Sequence, residues 1–225
     1  MNLQDLLVNT RIVLKDVGVK VLPDPLLVTF ANEGKNELYR MIRATRQDFF
    51  VTTSNVTVTC TGAPSPNVIT LPADFSQLKD VLCTTLTGVS SPTQITFLHW
   101  DRNDVIWRYL VASSFTGTLG VGMIFYYDLI GTSALQIVPP TGAGSTMTAQ
   151  LTYVATPPDL SAPSDTPSTI PPEYHQYIMN FMVTECLRAM GDQRIQLYDA
   201  KMQAITDRIS KAIATRALNE PQERG

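Results

Sequence analysis

Apolar residues recur at helical spacing at both ends of this chain and at strand spacing through its middle. Over residues 2–17, Leu3, Leu6, Leu7, Ile12, Val13 and Val17 predict a short amphipathic helix, with Gly18 as its stop. Pro23-Asp24-Pro25 then opens a second helix over about 25–46. Asp24 can accept amide hydrogens as a cap, and Pro25 falls at the first helical position, where its missing N–H is not needed. Leu27, Phe30, Ala31, Leu38, Met41 and Ile42 form the apolar face of this helix, with Lys35, Arg40, Arg43 and Arg46 largely off it.

The period changes at residue 49. Residues 49–59 alternate as a strand does, and 68–71, 78–86, 94–100, 121–127, 134–138 and 147–154 read as further short strands. Between them lie a turn at 61–67, a corner at Pro72-Ala73-Asp74-Phe75 and a loop or short helical turn at 101–104. Strands of this length and spacing predict an antiparallel sandwich or open barrel. Residues 155–172 hold six prolines and read as an extended linker. Pro171-Pro172-Glu173 restarts a helix that carries Tyr174, Tyr177, Ile178, Phe181, Met182, Cys186 and Leu187. Gly191-Asp192 marks a break or kink, and Ile195 through Ile213 continue the pattern to about 217. Asn219–Gly225 has no apolar anchor and reads as a flexible tail. The expected organisation is α+β: helical residues 1–48, a β-rich insert over 49–156, the linker 157–172, helical residues 173–217 and the tail 218–225.

Charge follows the same division. Residues 1–46 carry seven basic and five acidic groups, and residues 171–225 carry seven of each. The 124 residues between carry three basic and eight acidic groups. An acidic, sparsely charged middle argues against wrapping DNA and suits a surface that DNA passes without adhering, because few counterion-releasing contacts form. Lys35, Arg40, Arg43 and Arg46 are the densest basic positions. They read either as a solvated helix face or as a contact for an acidic partner or DNA phosphate. Cys60, Cys83 and Cys186 are odd in number and lack metal spacing, which fits a reducing compartment better than a disulfide framework. Residues 1–18 lack the features of a secretory signal, and no apolar stretch nears the roughly 20 residues that a membrane span needs.

Candidate chemistry is thin. His99 stands near Asp101 and Asp104 and could act as a base, but no nucleophile motif accompanies it, and a structural histidine is the commoner reading. His175, in the first turn of the C-terminal helix, reads as a surface or packing residue. The Gly117–Gly122 run is followed by neither a helix nor a Gly-Lys-Ser/Thr sequence, so it reads as turn or bulge and not as a phosphate cradle. Trp100, Trp107, Phe125, Tyr126 and Tyr127 could form a sugar platform, although strand aromatics more often serve the core. No catalytic, metal or cofactor site is expected.

The junction sequences carry a resemblance. DLLVNTRIVLKDVG, DPLLVTFANEGKNELYRMIRATRQDFF, ITLPADFSQLKDVL, LQIVPP followed by LTYVATPPDLS, and IPPEYHQYIMNFMVTECLRAMGD occur in that order over nearly the whole length. Together they resemble the head-to-tail adaptor (connector) proteins of tailed bacteriophages, in particular the short-tailed, podovirus-like type. The resemblance implies N- and C-terminal helices packed as a bundle with the β region projecting from it. It implies a non-enzymatic virion protein of the head–tail neck, assembled in the host cytoplasm. It further implies a ring of about twelve copies under the portal protein that extends the channel for genomic double-stranded DNA and offers a platform to a tail or nozzle protein. The segment implied to contact the portal is Asn219, Glu220, Pro221, Gln222, Glu223, Arg224 and Gly225. A tail-tube or head-completion protein is the nearest alternative, and a carbohydrate-binding sandwich is the alternative of another class.

Overall fold

The computed structural model describes residues 1–16, 21–46, 48–60, 65–86, 95–112, 123–141 and 143–219. Gly18, most of the 61–67 turn, the Gly117–Gly122 run and residues 220–225 lie outside the described residues. In chain order the elements are α1 (Leu3–Leu14), α2 (Asp24–Thr45), β1 (Val51–Thr59), β2 (Asn67–Thr70), β3 (Phe75–Leu86), β4 (Ile95–His99), α3 (Val105–Ala112), β5 (Met123–Ile130), β6 (Ala134–Val138), β7 (Thr146–Ala155), α4 (His175–Met190) and α5 (Ile195–Asn219). The fold is α+β, in two compact units: residues 1–50 with 157–225, and residues 51–156.

The first unit is helical. Asn2 starts α1 by accepting the Asp5 amide at 2.8 Å, while the Asp5 carboxylate accepts the Asn2 amide at 3.0 Å, so two otherwise unpaired N–H groups are satisfied. The helix stops at Lys15, which takes the left-handed conformation (φ 60°), and not at Gly18. Pro23 precedes α2 without a side-chain cap, and Asp24 is already helical. The Asp24 carboxylate, expected to cap, instead accepts from Arg11 Nη2 at 2.5 Å. The same guanidinium reaches Asp16 at 3.1 Å and the Leu22 carbonyl at 3.0 Å. One cation at the end of α1 thus ties down the chain on both sides of the connection to α2.

Apolar burial joins the helices. Leu27, Ala31, Leu38 and Ile42 of α2 are fully buried, as are Ile178, Met182, Val183, Cys186 and Leu187 of α4. Gly191, at φ 65°, ends α4, and the Asp192 amide closes the turn on the Leu187 carbonyl; 173–217 is therefore two helices. Residues 156–171 of the proline-rich stretch have neither helix nor strand, yet they are not a loose spacer. Leu160 and Ile170 are buried, and Asn32 exchanges two hydrogen bonds with the Leu160 backbone at 2.8 and 2.9 Å. The Leu3 and Gln4 amides donate to the Asp165 and Pro163 carbonyls.

His175, expected at the surface or in a packing role, is buried at the same junction. Its Nε2 lies 2.9 Å from the Ile170 carbonyl and its Nδ1 lies 3.0 Å from the Met1 amine. The neutral ring satisfies both contacts by donating from Nε2 and accepting at Nδ1. Burial lowers the pKa below the usual histidine value of 6.5, helped by the charge of the N-terminus and opposed by the Ile170 and Pro167 carbonyls and by Glu173. A lowered value in the folded state means that stability is complete above the unfolded pKa and falls as pH drops below about 6.5. The melting temperature should therefore fall more steeply between neutral pH and mild acid than that of His175→Asn. Parallel curves for the two proteins would remove histidine as the cause.

The second unit is a two-sheet sandwich. One sheet has the order β1-β7-β3 and is antiparallel throughout. The other has the order β2-β6-β5-β4, in which β4 and β5 run parallel from Ile95↔Met123 to His99↔Tyr127. The expected antiparallel sandwich is present, with one parallel pair in it. A parallel pair needs a crossover, and α3, which the sequence pattern did not show, lies within it. Ile69, Phe125, Leu135 and Ile137 of one sheet meet Val81, Met147 and Leu151 of the other in a single core. The predicted corner at Pro72–Phe75 is a fastening point. Tyr153 Oη donates to Asp74 Oδ1 at 2.9 Å, and the Thr156 amide and hydroxyl donate to the Asp74 carbonyl at 2.7 and 3.0 Å. Burial, together with the neighbouring carboxylate, pushes the Tyr153 phenol up to about 12.

Candidate functional site

The four basic positions on α2 do not form one face. Lys35 has 0% exposure, and its ammonium donates to the Pro158 carbonyl at 2.6 Å, to Asp159 Oδ1 at 2.8 Å and to the Pro157 carbonyl at 3.4 Å. The expectation that it lies off the apolar face, available to a partner or to DNA, is corrected: it is an internal clasp. Arg40 is exposed beside Glu37, and Arg46 pairs with Asp48 at 3.2 Å and lies 6.0 Å from the Phe49 ring centroid. Arg40, Arg43 and Arg46 remain accessible in whole or in part.

The strand-end histidine does not build a catalytic centre. His99 is exposed, and its Nε2 lies 3.5 Å from Asp128, not from Asp101 or Asp104. Those two carboxylates accept the Asn103 and Ile106 amides at 2.8 Å and so shape the entry to α3. The cysteines are buried; burial pushes the Cys83 thiol up to about 11 and the Cys186 thiol up to about 12, away from the reactive thiolate form. The five aromatic residues scatter. Phe125 is in the sandwich core and Trp107 is the buried residue of α3, while Trp100 packs edge-on against Tyr126 and Tyr127 edge-on against His99. Among the described residues no group of three or more His, Cys, Asp or Glu could hold a metal ion, and no helix is long and apolar enough to cross a membrane.

Among the described residues, two surfaces stand out as uncovered. The first is a groove of about 580 Å³ between α4 and α5. Tyr177, Ile205 and Ile209 give it an apolar floor, and Lys201 and Arg208 rise at its edge. Neither cation has an ion pair among the described residues; Lys201 lies over the Tyr198 ring at 5.3 Å from its centroid. Tyr174 Oη and Asn180 Oδ1, on residues that line the groove, are buried without a hydrogen-bond partner. An unpaired buried polar atom costs about 1–3 kcal/mol. Sequence periodicity hid this groove because its residues read as one more apolar stripe. The signal was Lys201 and Arg208 on the same side of α5 as Ile205.

The second surface is α3 itself, which packs on β6. Val105 is 77% exposed and Ile106 51%, and Leu98 and Ile124 of the adjacent parallel strands are also exposed. Phe97 and Phe125 turn into the core, so alternation sets Leu98 and Ile124 on the opposite face of the sheet. Val105 and Ile106, consecutive on α3, form an exposed apolar pair of the kind that marks interaction sites more often than single exposed residues do. At the C-terminus, Asn219 is the last residue of α5 and not part of a flexible tail; the other proposed portal contacts, Glu220–Gly225, lie outside the described residues.

Comparison with known proteins follows the same direction. The family model described as SU10 adaptor protein matches residues 1–224. No curated protein matches the chain.

Proposed function

We propose, from the premise that this chain belongs to the SU10 adaptor protein family, that it forms a ring beneath the portal of a phage head, extends the DNA channel and receives the tail or nozzle. A bacteriophage adaptor is a structural component of the virion; the ring, the channel and the docking steps are the reading offered here. The observation that carries it is the family match over nearly the whole chain. The two uncovered surfaces add support, since a closed ring needs two unlike patches on each subunit. The insert suits a channel wall that DNA slides past, because few cations there could hold phosphate. Arg40, Arg43 and Arg46 supply a cationic strip for an acidic partner protein or for passing phosphates. Asn219 at the end of α5 and Glu220–Gly225 beyond it reach the portal. No step of this function requires catalysis, a cofactor or a metal.

Removal of residues 220–225 tests the portal contact, since it leaves α5 intact. The shortened chain should keep its helical circular dichroism and lose at least about tenfold in affinity for the portal ring of the same virus. Normal decoration of portal rings by the shortened chain would show that the tail does not dock there, and failure of the full chain to bind portal would end the adaptor reading itself.

A further inference from the structure

We infer that the groove between α4 and α5 of one copy receives helix α3 of the neighbouring copy. The inference rests on the ring reading and assigns its subunit contact. A ring joins copies through two different patches, and the two surfaces left uncovered here are unlike and complementary. The groove has an apolar floor under two cations. The α3 surface is apolar, with Val105 and Ile106 exposed, and it is fronted by the carboxylates of Asp101 and Asp104.

Dimensions and polar groups agree with this pairing. Lys201 and Arg208 stand seven residues apart, about 10 Å along α5, which is close to the width of one helix. A helix crossing α5 between them sets Val105 and Ile106 on Ile205 and Ile209, with Asp104 toward the cations. Asp104 uses Oδ1 to accept the Ile106 amide, leaving Oδ2 for an ammonium or guanidinium. Arg108, the one cation on α3, has a counterpart in Glu173 on the groove lining. Taking these features together, a second copy of this chain accounts for the groove's charge and its apolar floor.

Disulfide trapping tests the contact. One chain carries Val105→Cys and another Ile205→Cys, both at accessible positions, while the native cysteines are buried. The two are mixed and oxidised, in free solution and on the portal ring, after each is shown to melt as the parent does. The expected result is a mixed disulfide in about tenfold excess over either homodimer. That excess should disappear when Lys201→Glu and Arg208→Glu are added to the Ile205→Cys chain. Statistical pairing in both settings overturns the inference, and occupation of the groove by the portal or a tail protein instead would show in the same way. Portal binding with statistical pairing removes only this contact. A mixed disulfide without any portal binding keeps the contact and removes the adaptor reading.

Discussion

Replacing Lys35 with methionine should destabilise the helical unit by about 2–4 kcal/mol, whereas Asp159→Asn should cost less than about 1 kcal/mol. Methionine keeps the apolar stem but removes the donor, leaving the Pro157 and Pro158 carbonyls without the ammonium they share. The pair is lopsided: the Lys35 side chain has 0% exposure and that of Asp159 has 76%. Water can therefore replace the lysine at the carboxylate but not at the buried Pro157 carbonyl, 3.4 Å from Nζ. Urea unfolding followed by helical circular dichroism gives both numbers. Equal losses for the two variants would mean that the ion pair, and not carbonyl capture, is what Lys35 provides.

Gly34→Val should be comparably severe, at about 3 kcal/mol, and Gly34→Ala milder, although alanine gains about 1 kcal/mol of helix propensity over glycine. A Cβ at this position would sit 2.9 Å from Phe181 Cδ1 and 3.1 Å from both Phe181 Cβ and Cγ. The ring tip could rotate, but the phenylalanine Cβ is fixed to the α4 backbone, so α2 and α4 must separate. Gly34 is helical, with no positive φ to relieve, so the penalty is steric. Removing the ring takes away the Cδ1 and Cγ contacts while the Cβ stays, so Gly34→Val should be less damaging in a Phe181→Ala background than alone, with part of the loss remaining. Additive losses in the double variant would show that the two residues do not oppose each other.

Much of this architecture was legible in the sequence because the two periods differ so plainly. The helical ends, the strand-rich insert and the breaks at Pro23–Pro25 and Gly191 are local features, and local features survive into the fold. What escaped depends on distant partners. Lys35 falls at the spacing of Ala31, Leu38 and Ile42, a position that pointed inward, but a lysine there reads as solvated until its acceptors are known, and they lie more than 120 residues away. Helix α3 escaped because seven of its eight residues are aliphatic or aromatic and no polar face marks a helical period. The parallel pairing of β4 and β5 is a matter of crossover, which strand spacing alone does not encode. Of the candidate sites, the basic strip was visible as charge, whereas the groove appears only when α4 and α5 are brought together.

The helical unit is discontinuous in the chain, and this sets an order of events during synthesis. Helices α1 and α2 leave the ribosome before α4 and α5 exist, and roughly 130 residues separate the end of α2 from the start of α4. At about 5–20 residues per second the delay is on the order of ten seconds. During that interval Leu27, Leu38 and Ile42 have no α4 to cover them, while the sandwich, whose strands all lie between residues 51 and 155, can close as soon as β7 emerges. Nascent chains stalled shortly after β7 should thus hold a protease-resistant insert behind an N-terminal segment that chaperones still recognise.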